Sequence, residues 1–217
     1  MKKPSAAQAA PRMRKQPTQA RAQRTIETIF DATAQIVESE GEGALTTNRI
    51  AQKAGFSIGT LYQYFPSKEA VLAAMIHRQR DKVQQDLQAM LDRAVAERRD
   101  VRATVRELVR LLVQAFGGTT RPRRAFIRMA WRLDHHDNIT QALREGADRN
   151  ALALAQLIDS GQAPGVRPPT PAMMYVATRA VMGAIRSASL EDSPLLGTPA
   201  FEDELVRMVW GLLRAEI

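Results

Sequence analysis

The chain has 217 residues, of which 45% are hydrophobic, 25% charged and 5% aromatic, with no cysteine and a net charge of +8. This is the balance of an ordinary globular protein. It leaves no role for disulfides or thiolate-bound metal, and no run approaches the roughly 18 unbroken apolar residues of a membrane span. The basic N-terminus has no apolar stretch behind it, so neither a signal peptide nor a membrane location is expected and the cytoplasm is. The charge is uneven: Lys2, Lys3, Arg12, Arg14, Lys15, Arg21 and Arg24 precede the first acid, leaving a nearly neutral body. Pro4, Pro11 and Pro17 interrupt that basic segment. It reads as a disordered tail over 1–20, either merely solubilising or touching DNA as an arm.

The first helix is expected over 21–40, with Ile26, Ile29, Phe30, Ala34 and Val37 on one stripe. Gly41 and Gly43 end it. A short helix over 48–54 follows, capped by Thr46 and closed by Gly55, and then another over 57–64, stopped by Pro66. Ser67 caps a long helix over 68–98, whose apolar stripe is broken at Gln79 and Arg80 by a kink or a change of packing partner. Further helices are expected over 100–116, 121–133 and 138–160. Two more begin at Thr170-Pro171 and Thr198-Pro199, where proline in the first turn costs no hydrogen bond. Strand-like alternation is absent, so the chain reads as all-α. A three-helix domain over 21–82 precedes a larger helical domain over 83–217.

Two short helices around Gly55, after a longer one, make a helix-turn-helix over about 46–65. Leu61 and Phe65 face inward with Ile50, Ala51 and Ala54. Ser57, Ile58, Gly59, Thr60, Gln63 and Tyr64 form the opposite face of the second helix, and Gly59 clears room for a close approach. Thr60 and Tyr62 bring hydroxyls for phosphates, Gln63 a head for a base edge, and Lys68 a charge beside the free amides of the next helix. Tyr62 and Tyr64 point about 200° apart and so play different roles.

Residues 45–54, Gly59-Thr60-Leu61-Tyr62, Tyr64-Phe65 and Ser67-Lys68-Glu69 resemble the DNA-binding domain of the TetR (tetracycline-repressor) family. The run Ala-Gly-Phe-Ser-Ile-Gly-Thr-Leu-Tyr-Gln-Tyr-Phe-Pro-Ser-Lys-Glu over 54–69 carries most of that resemblance, which extends over about 22–82. The resemblance implies that Thr60, Tyr62 and Lys68 hold the DNA backbone and that Thr46 and Thr47 abut a phosphate. Asn48 is left either at a base or simply exposed. Ile58 stands where some members place a polar or basic reader, and its alternative is packing on a thymine methyl.

A single helix-turn-helix grips too few base pairs for specificity, so a homodimer on a palindromic double-stranded operator is expected. Its surface is sought on the last two helices: Met173, Val176, Ala177, Ala180, Val181, Ala184 and Ala188, with Phe201, Leu205, Met208, Val209 and Leu212. The resemblance further implies a small-molecule pocket among the middle helices, with candidates Met90, Phe116, Phe126, Arg128, Met129, Trp131, His135 and Tyr175. Asp134-His135-His136-Asp137 reads as a charged turn rather than a metal site, because adjacent residues at a helix break do not readily converge on one ion. No cofactor, metal or catalytic constellation is expected. The expected function is a repressor released by a small-molecule effector, with the long helix from Lys68 as its lever. The alternative is a similar regulator governed by a protein partner or by no effector.

Overall fold

The computed structural model describes residues 20–117, 121–133, 136–161 and 163–215. Apart from Ala20, the basic tail lies outside them, as do Asp134 and His135 of the charged turn. Within them the regular elements are helical: α1 (Ala20–Glu40), a 3₁₀ turn (Glu42–Ala44), α2 (Thr47–Ala54), α3 (Ile58–Tyr64) and α4 (Lys68–Ala96) come first. Then follow α5 (Val101–Gly117), α6 (Arg121–Leu133), α7 (His136–Asp159), α8 (Pro171–Leu190) and α9 (Pro199–Leu213). Their contacts divide the chain into two units between Gln79 and Arg80. That is where the apolar stripe of α4 is interrupted.

In the first unit, the stripe of α1 is completed by Thr33 and Ile36. The Thr33 hydroxyl is satisfied by donating to the Ile29 carbonyl at 2.8 Å, so its burial leaves no orphan polar group. Ile29, Ile36, Leu45, Ile50, Leu61 and Phe65 are fully buried, and the Phe30 and Phe65 rings meet at 5.9 Å. Capping fixes the ends of the two short helices. Thr46 Oγ1 accepts from the Arg49 amide at 3.1 Å, and Gly55 closes α2 at φ 73°, in the left-handed region that favours glycine. Ser57 is the cap of α3 rather than its first residue, its Oγ accepting from the Thr60 amide at 3.1 Å.

In the second unit α8 is the central helix, touched by α5, α6, α7 and α9. Met173, Met174, Val181 and Ile185 of α8 join Val109 and Val113 of α5 and Leu205, Val206 and Val209 of α9 in one apolar core. Thr170 and Thr198 cap α8 and α9 through their hydroxyls, each followed by the expected proline. At Gly117 any Cβ would stand 3.1 Å from Leu196, so the end of α5 and the α8–α9 loop meet where only glycine fits freely. A two-sided clasp joins the segment before α8 to the segment after α9. The Arg167 amide donates to the Leu213 carbonyl at 3.0 Å, and the Ala215 amide to the Gly165 carbonyl at 2.8 Å, around an isolated antiparallel bridge between Val166 and Arg214.

Candidate nucleic-acid interface and effector cavity

The second short helix is held from one side only. Leu61 and Phe65, four residues apart, are the α3-side anchors in the core of the first unit, and both are fully buried. Their opposite side is open: Ser57, Ile58, Gly59, Tyr62 and Gln63 are exposed, and Thr60 and Tyr64 are half-buried. Ile58, 36% exposed, is an apolar side chain with no buried face to join, and Tyr62 is 42% exposed. The Tyr62 hydroxyl lies 3.4 Å from Thr47 Oγ1, which ties the outer face of α3 to the start of α2. Thr60 Oγ1 lies 3.0 Å from Ser57 Oγ, so the cap and one predicted phosphate ligand share a hydrogen bond.

Around this face Thr46 and Asn48 are exposed and Thr47 half-buried at the start of α2. Lys68 is the first residue of α4, in the turn where Ser67 Oγ accepts from the Ala70 amide at 3.3 Å. Arg49 lies near the same helix start, but its guanidinium is committed elsewhere. It donates to both Glu40 oxygens, at 3.0 and 2.7 Å, and to Gln52 Oε1 at 3.0 Å. That hydrogen-bonded guanidinium holds the Glu40 carboxyl below its usual range. The contribution of this exposed pair is therefore present above the ordinary carboxylate range and fades as pH falls through it.

The second unit contains a cavity of about 170 Å³ that opens to solvent. Of the residues expected around a pocket, it brings together two, Phe116 and Trp131, whose rings lie 5.5 Å apart. The others do not line it. Met90 is fully buried against Leu91 and Ala153, and Met129 is likewise packed away from the space. Phe126 is half-buried outside the lining, and Arg128 pairs with Asp192. Tyr175 faces outward, 56% exposed, with the Arg179 guanidinium 3.6 Å from its ring centre. His135 lies outside the described residues.

The walls come largely from other apolar residues of the amphipathic helices: Leu87 of α4, Leu108 and Leu112 of α5, and Leu154 of α7. Polar exceptions are Arg80, Gln84, Thr104, Arg149, Asn150 and Thr178. Two lining groups, Trp131 Nε1 and Thr178 Oγ1, are buried without a hydrogen-bond partner. An orphan donor in an apolar space is costly, and a bound solute or water would relieve it. Among the described residues no cluster of histidine, aspartate or glutamate has a metal-binding arrangement.

The residues expected at a dimer surface separate into two sets. Met173, Ala177, Val181, Ala188, Leu205 and Val209 are buried in the core of their own unit, and Ala184, Phe201 and Leu212 pack partly against it. Their small or apolar side chains serve the chain's own packing. Ala180 is half-buried, and Val176 and Met208 are exposed, at 49% and 37%.

Residues 29–75 match the family described as "Bacterial regulatory proteins, tetR family". A curated relative, the nucleoid occlusion factor SlmA of Vibrio vulnificus, is 32% identical over 88 residues, 40% of this chain and 43% of that protein. The chain thus spans less than half the length of the curated relative it matches. Solved structures extend the likeness across the fold. The transcriptional regulator FadR of Bacillus subtilis, in complex with stearoyl-CoA, superposes with a TM-score of 0.59 at 18% identity, over 84% of this chain and 96% of that one. SmeT, the repressor of the Stenotrophomonas maltophilia multidrug efflux pump SmeDEF, does so with a TM-score of 0.61 at 22% identity, over 88% and 91%.

Proposed function

We propose that this tetR-family chain is a transcriptional repressor that binds a palindromic operator as a homodimer and releases it when a small molecule fills the cavity of its second unit. The observation that carries the reading is the one-sided anchoring of α3. Leu61 and Phe65 fix the helix, while Ile58, Gly59, Tyr62 and Gln63 face outward with no internal packing to serve. An exposed, shallow face of that kind suits the major groove. Thr46, Thr47, Thr60, Tyr62 and Lys68 supply the backbone grip, and Ile58 offers an apolar contact to a thymine methyl.

The cavity supports an effector-controlled reading, as do the stearoyl-CoA complex of FadR and the repressor role named for SmeT. A ligand that favours the DNA-free conformation weakens DNA binding by the same factor by which DNA weakens its own binding. Turning a population from 1:99 to 99:1 takes a preference of about 10⁴-fold. We assign the chain no catalytic role. No helix among the described residues is long and apolar enough to cross a membrane, which suits a regulator working in the cytoplasm.

Binding to the DNA flanking its own gene, followed by gel shift over a salt series, tests the reading. Lys68→Ala is expected to weaken binding to every sequence and to lower the salt slope by about one, whereas Gln63→Ala relaxes base preference. No specific band for the wild-type chain at moderate salt would sink the proposal.

The dimer is placed on the outer faces of α8 and α9, where Val176 and Met208 are exposed and Ala180 half-buried. Val176→Glu is expected to yield a monomer in sedimentation, with operator affinity reduced at least tenfold. A variant that stays dimeric moves the interface elsewhere.

A further inference from the structure

The ligand's chemistry can be read from a polar gap in a largely apolar wall, given the effector reading above. Gly146 of α7 leaves a bare strip of helix at the cavity. A Cβ built there would lie 3.8 Å from Arg149 Nη2 and 3.9 Å from Thr178 Cγ2, so these two side chains flank one small space. Thr178 Oγ1 is buried without a partner. Arg149 is half-buried and makes no hydrogen bond or ion pair among the described residues. Its near acid, Glu145, is already held by Gln84 Nε2 at 3.1 Å and Gln141 Nε2 at 2.9 Å.

Arg149 lines both the inner cavity and an outer cleft shared with Asp81, Gln84, Gln85 and Gln88, so it stands at the mouth between them. A half-buried guanidinium that makes no hydrogen bond or ion pair among the described residues keeps its fork of donors open, and a bidentate anion suits that fork best. The body of the ligand must be apolar, because Leu87, Leu108, Leu112 and Leu154 face it, and Phe116 and Trp131 add an aromatic wall. A body the size of a benzene ring fits, since a cavity of about 170 Å³ is close to the roughly 150 Å³ known to admit a benzene molecule.

We propose that the cavity takes a small apolar carboxylate, its head held by Arg149 and Thr178 over Gly146 and its body against Trp131 and the leucines. The head accepts two hydrogen bonds from the guanidinium and one from the threonine hydroxyl. The carboxylate thus supplies the Thr178 hydroxyl with the acceptor it lacks.

The test compares two probes of one body, 3-phenylpropionate and 3-phenyl-1-propanol, on the full chain carrying Trp210→Phe. Trp131 is then the remaining tryptophan and reports from the cavity wall. The acid is expected to shift Trp131 emission and to bind at least tenfold more tightly than the alcohol. Arg149→Met should erase that preference while keeping affinity for the alcohol, which also shows that the variant is folded. Thr178→Val, nearly the same in shape, should weaken the acid severalfold. Equal affinities for the two probes, a preference that survives Arg149→Met, or no binding of either at millimolar concentration would each overturn the assignment. Specific operator binding by a protein that takes neither probe would leave the regulator standing and reject only the ligand class. Probe binding with no operator band would do the reverse.

Discussion

Gly59→Gln is expected to leave the protein as stable as before, or slightly more so, while lowering operator affinity at least a hundredfold, about 2.7 kcal/mol. Glycine inside a helix costs roughly 0.5–1 kcal/mol relative to alanine, so its presence in the seven-residue α3 needs a reason. The chain's own structure gives none. Gly59 is not among the residues with positive φ, and a Cβ there would meet only Ser57 Oγ at 3.7 Å, an ordinary contact. On the proposed reading the requirement comes from outside, where the groove floor would meet the exposed side of α3. Thermal melting and fluorescence anisotropy with the same DNA separate the two effects. An affinity within twofold of wild type would show that this side of α3 does not approach DNA closely.

Phe65→Ala should act in the opposite manner, destroying the DNA grip by removing the fold that presents it. Phe65 is fully buried, ends α3 by donating its amide to the Leu61 carbonyl at 2.9 Å, and packs its ring on Phe30. Truncating such a ring costs about 3–5 kcal/mol, a large part of the ~5–15 kcal/mol that holds an ordinary domain together. The first unit has few layers from which to recover it. Hydrogen exchange should show lost protection in α1, α2 and α3, with protection kept at the α5, α8 and α9 core. Unchanged protection in α1 to α3 would contradict this role for Phe65.

The two variants bear on why one half of the molecule was legible in its sequence and the other was not. The first unit is specified by local rules. Thr46 and Ser57 cap, Gly55 turns with a positive φ, and Leu61 and Phe65 are spaced to face one way. Each signal acts within about one helical turn, so the run 54–69 states its own geometry. The cavity obeys no such rule. Leu108 and Leu154 line it while Met90 and Met129 are packed solid, although all four are apolar residues on amphipathic helices. Whether an apolar side chain meets a neighbour or a void depends on how five or six helices stack. Arg149 and Thr178 stayed hidden for the same reason, since a helical arginine and threonine read as surface until α7 and α8 are placed together.

The helices expected to pair two copies show a related ambiguity. On α8 small and apolar residues occur nearly all round, so periodicity cannot say which side turns inward. The structure gives Met173, Ala177, Val181 and Ala188 to the core and leaves Tyr175 and Val176 outside.

The clasp between 165–167 and 213–215 has a mechanical consequence for that outer side. It binds the start of α8 to the end of α9, while the loop between them binds their other ends. A helix pair tied at one end swings like scissors; one tied at both ends behaves as a plate. A second copy docking on these helices would therefore meet a surface whose spacing does not drift.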